Sequence, residues 1–187
     1  MRIQALSAAL LFSIAACGGD SADAPASSAP AAPATEASAA DASWFSVDEA
    51  AQTVSITIAA GSTSANNYWN YNGLYGGSGL ITVPEGYTVT ITFENKDPNM
   101  AHSIGLGERS ASYPTNFTNP QPVFAGAMSE NPTSMIESTL PGETEVLTFT
   151  ASAAGEYTLI CYVSGHAATG MYLNFNVSTD GSYGVQL

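Results

Sequence analysis

Near the carboxyl end of the chain stand Cys161, His166 and Met171, spaced Cys-x4-His-x4-Met. A thiolate, an imidazole and a thioether hung on one loop can surround a single soft metal ion. One more imidazole would give two nitrogens, one thiolate and one weak axial sulfur, the donor set of a blue, type 1 copper centre. The chain holds only two histidines, and the second is His102. Three other methionines are rival thioethers. Met100 lies two residues from His102 and is expected near the outer surface of the site. Met128 and Met135 read as packing or loop residues.

The remaining chemistry is narrowed by counting. Two cysteines, Cys17 and Cys161, cannot build a disulfide scaffold, a four-thiolate zinc site or an iron–sulfur cluster. No Cys-x-x-Cys-His is present, which excludes covalent c-type haem. A binuclear copper centre needs two cysteines in the ligand loop, and a copper enzyme needs a second site with further histidines. Both histidines are already committed, so no catalytic residue is assigned and the chain is expected not to be an enzyme. Three basic residues against sixteen acidic ones give a formal charge of −13. Phosphate backbones and anionic lipid surfaces demand clustered Lys and Arg, so nucleic-acid and polybasic membrane binding are excluded as classes.

The elements that must position these side chains read as β-strands. Residues 53–58 and 87–93 alternate apolar and polar positions with period two, as do 143–149, 157–160 and 171–177. Turn signals separate them: Asn72-Gly73, Pro84-Glu85-Gly86, Asp97-Pro98-Asn99, Pro141-Gly142 and Ala154-Gly155. No run has helical periodicity. Seven or eight short strands at this spacing predict an all-β fold, an antiparallel Greek-key sandwich. Cys161 ends one predicted strand and Met171 begins the next, so the three loop donors share one end of the sandwich. His102 follows the strand 87–93 and the turn 95–99. Residues 108–140, with Pro114, Pro120, Pro122 and Pro132, read as a long excursion with short strands. Tyr68, Trp69, Tyr71 and Tyr75 form an aromatic cluster whose simplest role is sheet packing.

Residues 1–16 carry Arg2 and then an apolar run too short to span a bilayer, the pattern of a secretory signal. Ser13-Ile14-Ala15-Ala16-Cys17 resembles the lipobox of bacterial lipoproteins, with Ile14 where Leu is usual. Cys17 would then be the lipidated first residue of the mature chain. The alternative is a plain signal cleaved nearby. Residues 17–42, rich in Ala, Ser and Pro, cannot bury enough apolar surface to offset ordering entropy and are expected to be a disordered linker. The folded domain is expected over 43–187. The expected location is periplasmic, tethered to a bacterial membrane.

His102 followed by Cys161, His166 and Met171 resembles the ligand pattern of the cupredoxins, the blue copper proteins. The stretch 157–172 is most similar to sulfocyanins, with rusticyanin a near relative. Trp69-Asn70-Tyr71-Asn72-Gly73 followed by Gly79-Leu80-Ile81-Thr82-Val83-Pro84 also resembles a sulfocyanin signature. The resemblance covers roughly 43–177. It implies a cupredoxin-like sandwich holding one type 1 copper ion on His102, Cys161, His166 and axial Met171, and one-electron transfer between respiratory redox proteins, such as a c-type cytochrome or a terminal oxidase, by a monomer. The second reading is a copper carrier delivering metal to an oxidase, with the same ligands. Ser103 stands where many cupredoxins have Asn. It and Asn95 are expected to support the ligands by hydrogen bonds, and a hydroxyl near the thiolate leads to an expected potential on the high side. The small residues around His166 are expected to let a partner approach its imidazole edge, making His166 the electron port. The acidic balance favours a basic partner.

Overall fold

Nine strands, a left-handed turn at 65–68 and one turn of 3-10 helix at 167–169 make up the regular structure of residues 42–187, the part of the chain that the computed structural model describes. The signal, Cys17 and the linker up to residue 41 lie outside the described residues.

The strands are β1 (Phe45–Asp48), β2 (Thr53–Ala60), β3 (Leu80–Pro84), β4 (Thr88–Asn95), β5 (Gly105–Glu108), β6 (Thr144–Thr150), β7 (Gly155–Ile160), β8 (Tyr172–Ser178) and β9 (Gly184–Gln186). One sheet has the order β1-β2-β4-β6 and the other β5-β7-β8-β3-β9. Period-two patterning turns one face of each strand inward. Val54, Ile56, Ile58, Val89, Ile91 and Phe93 line the inner face of the first sheet. Ile81, Val83, Leu159, Leu173, Phe175 and Val177 meet them from the second, in one continuous core. Burying each such side chain stabilises the fold by about 1.5–3 kcal/mol. This is an all-β sandwich of two sheets.

The turn spacing predicts a wholly antiparallel sandwich, and the observed one is not. β2 runs parallel to β4 and β3 parallel to β8. The chain leaves β2, crosses to the second sheet as β3, and returns to the first as β4 beside β2. Two crossings restore the original direction. Apolar alternation reports which face a residue occupies, not which way its neighbouring strand runs.

The excursion after β5 holds no strand, contrary to expectation. It makes two isolated bridges, Met128 with Gly105 of β5 and Thr139 with His102 in the loop after β4. Pro114, Pro120, Pro122 and Pro132 lack the N–H that a ladder requires. The return path is held by single backbone bonds instead: Leu106 N–H to Ala127 O at 2.8 Å and Ser129 N–H to Ile104 O at 2.8 Å. No helix among the described residues is long and apolar enough to cross a membrane.

Candidate metal centre

Two loops meet at one end of the sandwich. The first joins β4 to β5 and carries His102. Its backbone pairs both ways with Thr139, at 3.1 Å each, and its carbonyl accepts the Ser138 hydroxyl at 2.8 Å. Asn95, the buried last residue of β4, donates through Nδ2 to Met100 O and Thr139 O, both at 2.8 Å. Its Oδ1 accepts the Asp97 N–H at 2.9 Å. Asn95 therefore shapes the turn and holds the strand partner of His102, one step removed from the donors themselves.

The second loop joins β7 to β8. Cys161 follows the last residue of β7, and its N–H donates to Met171 O at 3.1 Å. Met171 N–H donates in turn to His166 O at 2.9 Å. The loop is thus closed across its own base by the residues at its two ends. Gly170, at φ +108, ends the short turn 167–169 in a conformation that a side chain would strain.

The three hard-to-place donors converge. Nδ1 of His102 and Nδ1 of His166 are 3.1 Å apart. Cys161 Sγ lies 3.4 Å from the His166 Nδ1 and 4.0 Å from the His102 Nδ1. Donors each about 2.0–2.3 Å from a common ion are spaced in this way. Met171 is fully buried in the same core cluster as Cys161. Among the rival thioethers, Met135 is exposed, and Met128 packs in a second, smaller cluster with Tyr162. Met100 is half-buried in the turn before His102.

The donors are enclosed: His102, Cys161, His166 and Met171 are all 0% exposed. Ser103 lies against the sulfur, its N–H 3.5 Å and its Oγ 3.8 Å from Cys161 Sγ, while Oγ accepts the Tyr162 N–H at 2.9 Å. Tyr71, also buried, donates to Ser103 O at 2.6 Å and sets its ring edge-on to Phe93. The expectation of sheet packing for the aromatic cluster is therefore incomplete, since Tyr71 braces the sulfur's neighbour.

His166 departs further from expectation. Its small neighbours do not leave an imidazole edge open. Trp69 stacks on the ring at 4.1 Å and 24°, and the Nε2 of His166 is buried without a protein acceptor. The cover comes from a distant loop rather than from the ligand loop, which is why local residue size misleads. The other imidazole is tied down: Asp97 Oδ2 lies 2.8 Å from His102 Nε2. Asp97 reads in the sequence as a turn residue, and only its burial marks it as more.

Electrostatics follow from enclosure. Burial holds the His102 imidazole below its ordinary range, opposed by Asp97. Burial, with the charge of His102 next, pushes His166 down to about 3. Both rings are neutral at pH 7, as metal ligands must be. Burial raises the Cys161 thiol, opposed by the N–H groups of Ser103 and Val163. An enclosed thiolate is costly without a cation beside it, and two facing Nδ1 atoms repel unless a proton or a cation lies between. The residues thus fit a soft cation bound by two nitrogens and sulfur.

Sequence comparison identifies the family. The model of the sulfocyanin (SoxE) domain matches residues 40–185. A sulfocyanin of Sulfolobus acidocaldarius is 30% identical over 125 residues, covering 65% of this chain and 61% of its own length. The chain thus matches less than two thirds of that relative. Among solved structures, auracyanin from Roseiflexus castenholzii is 24% identical, with a TM-score of 0.47 over 71% of this chain and 99% of its own. Rusticyanin from Thiobacillus ferrooxidans is 22% identical, with a TM-score of 0.46 over 72% and 86%. Since the domain match runs from before β1 into β9 and takes in both loops of this pole, the chain belongs to the sulfocyanin family of blue copper proteins.

Proposed function

We propose that the domain carries single electrons between respiratory redox partners outside the cytoplasm, with one type 1 copper ion held by His102, Cys161, His166 and Met171. One type 1 copper is the cofactor of the family. The observation that carries the reading is the convergence of two Nδ1 atoms and one Sγ, within 4.8 Å of one another, in a wholly buried pole. The ion supplies a Cu(II)/Cu(I) couple, and the chain supplies everything that makes the couple usable. Two strand-anchored loops keep the donors in one arrangement. Ser103 directs its N–H at the sulfur, and Tyr71 holds Ser103 in place. Trp69 keeps water from the His166 ring.

Burial of every donor weighs against the carrier reading. Handing metal to an acceptor requires ligands that the acceptor can reach, and none of the four is exposed. The electron route proposed here runs from His166 through the stacked Trp69, which is half-buried, to the surface. The loops on that side interlock: Gly76 N–H donates to Gly170 O at 2.6 Å, and Gly165 N–H to Thr115 O at 2.8 Å. Residues 62–79, 110–119 and 161–172, which form or bond to the loop of His166, contain no charged side chain. A c-type cytochrome or a terminal oxidase would meet a neutral, aromatic face there, in a small transient contact below about 1,200 Å². The chain's −13 charge would act on the approach of a basic partner more than on the contact itself. The signal over 1–16, the lipid on Cys17 and the linker over 17–42 would place this domain at a membrane without entering it.

The test is direct. Cu(II) added to the purified chain should give strong blue absorption near ~600 nm from the copper–thiolate bond. Cys161→Ser should be colourless. A colourless wild type, or colour that survives Cys161→Ser, overturns the reading. Copper retained through repeated reduction and oxidation supports electron transfer, and rapid loss to an acceptor supports the carrier.

A further inference from the structure

We infer that Asp97 is a buried counter-charge that fixes the tautomer of His102 and biases the copper site toward its oxidised state. This deepens the copper reading above and rests on it for the redox half alone. Asp97 is 3% exposed, and its carboxylate meets N–H groups on both oxygens. Oδ2 faces His102 Nε2 at 2.8 Å, while Oδ1 accepts from Asn99 N–H at 2.8 Å and Met100 N–H at 3.2 Å. The backbone at Gly61 closes over the acid. A Cβ there would lie 2.7 Å from the Asp97 Cβ.

Two consequences follow. A carboxylate at Nε2 requires the proton on Nε2, so the Nδ1 lone pair points at Cys161 and His166. The second concerns charge. No Lys or Arg among the described residues neutralises Asp97. Lys96 pairs with Glu94 at 2.9 Å, and Arg109 lies against Glu156 and the carbonyl of Tyr157. An uncompensated negative charge in a low-dielectric pocket, one imidazole away from the ion, favours the more positive of two oxidation states. The effect opposes the high potential expected from the hydroxyl of Ser103. Asp97 acts through His102 and is a positioning residue; it does not ligate.

The experiment uses the full chain, wild type, Asp97→Asn and Asp97→Ala. In the copper-free wild type, nitrogen-15 NMR of the histidines should show His102 protonated at Nε2. A proton on Nδ1 overturns the tautomer assignment, and this reading needs neither copper nor a variant. Cu(II) and Cu(I) affinities are then measured by competition with chelators. Asp97→Asn keeps an acceptor for Nε2–H and removes the charge. It should lower the Cu(II)-to-Cu(I) affinity ratio at least tenfold, equivalent to a potential higher by at least 59 mV, with the blue band retained. Asp97→Ala should show the same ratio change and also a mixed His102 tautomer. An unchanged or increased ratio in a folded, blue Asp97→Asn overturns the counter-charge. A wild type that never turns blue sinks the copper reading instead, and the tautomer is still decided by the copper-free spectrum.

Discussion

Replacing Tyr71 by Phe removes one oxygen atom from the wall of the site. The Tyr71 hydroxyl donates to Ser103 O at 2.6 Å, and both groups are fully buried. The ring keeps its edge-on contact with Phe93 at 6.1 Å, so the loss is confined to what the hydroxyl touches, Ser103 O and the Cys161 side chain. Its removal leaves a buried carbonyl without its partner, a cost of about 1–3 kcal/mol. For a domain of this size each kcal/mol lowers Tm by about 2–4 °C, so a central loss of about 2 kcal/mol lowers it by about 4–8 °C. Ser103 also presents its N–H to Cys161 Sγ at 3.5 Å. Loosening its far side should therefore shift the position of the blue band without abolishing it. Thermal melts of the copper-free and copper-loaded chains, read with the visible spectrum, provide the assay. A Tm within a degree of wild type and an unmoved band would refute the reasoning, because then the hydroxyl neither anchors Ser103 nor acts on the sulfur, directly or through it.

Met171→Leu is close to volume-conserving and should cost less than about 1.5 kcal/mol. Blue colour should persist with a raised potential, since on the proposed ligation a weak donor to Cu(II) would be lost; a folded but colourless variant would give Met171 a larger role. Copper-free stability should be full above pH 6.5 and fall as pH drops toward about 3, because His166 has its pKa pushed down to about 3 and the unfolded chain takes up the proton first. His102, also lowered, adds the same sign. The slope from His166 is at most about 1.4 kcal/mol per pH unit. Denaturant melts between pH 6.5 and 5 measure it above the carboxylate range, and a slope that persists undiminished in His166→Gln would contradict it. Gly61→Ala places a side chain at φ +64 against the Asp97 backbone, with Cα and N both at 2.8 Å. It should destabilise by about 1–3 kcal/mol, and melting curves that overlay wild type would show that the backbone can give way there.

The donors were legible in the sequence because their types are rare in this chain: two histidines, and one cysteine in the folded part. Strands β2, β4, β6 and β8 were legible because one buried and one solvated face impose alternation. β5 was not. Its sequence, Gly105-Leu106-Gly107-Glu108, has no period-two run of strand formers, yet the glycines sit where a neighbour fills the space. A Cβ on Gly107 would lie 2.6 Å from the Tyr162 hydroxyl, and one on Gly105 2.8 Å from the Tyr162 ring. Parallel pairing was hidden because alternation carries no direction. Asp97 was hidden inside an Asp-Pro-Asn turn signal, and Trp69 inside an aromatic run whose packing partner lies in another loop.

The two imidazoles are alike in the sequence and unlike in the fold, and that asymmetry divides the labour of the site. Nε2 of His102 faces a carboxylate, and Nε2 of His166 faces no protein acceptor and lies beneath an indole. Charge that sets a potential therefore sits on the His102 side, on the loop after β4. The segments that form or bond to the loop of His166, residues 62–79, 110–119 and 161–172, hold no charged side chain. On this division, Asp97→Asn should move the potential and leave partner binding alone. Trp69→Phe, which keeps a stacked ring but shortens it, should slow transfer to a partner and leave the potential alone. Effects that appear together in both variants would mean that the two sides of the site are coupled through the ion rather than separated by it.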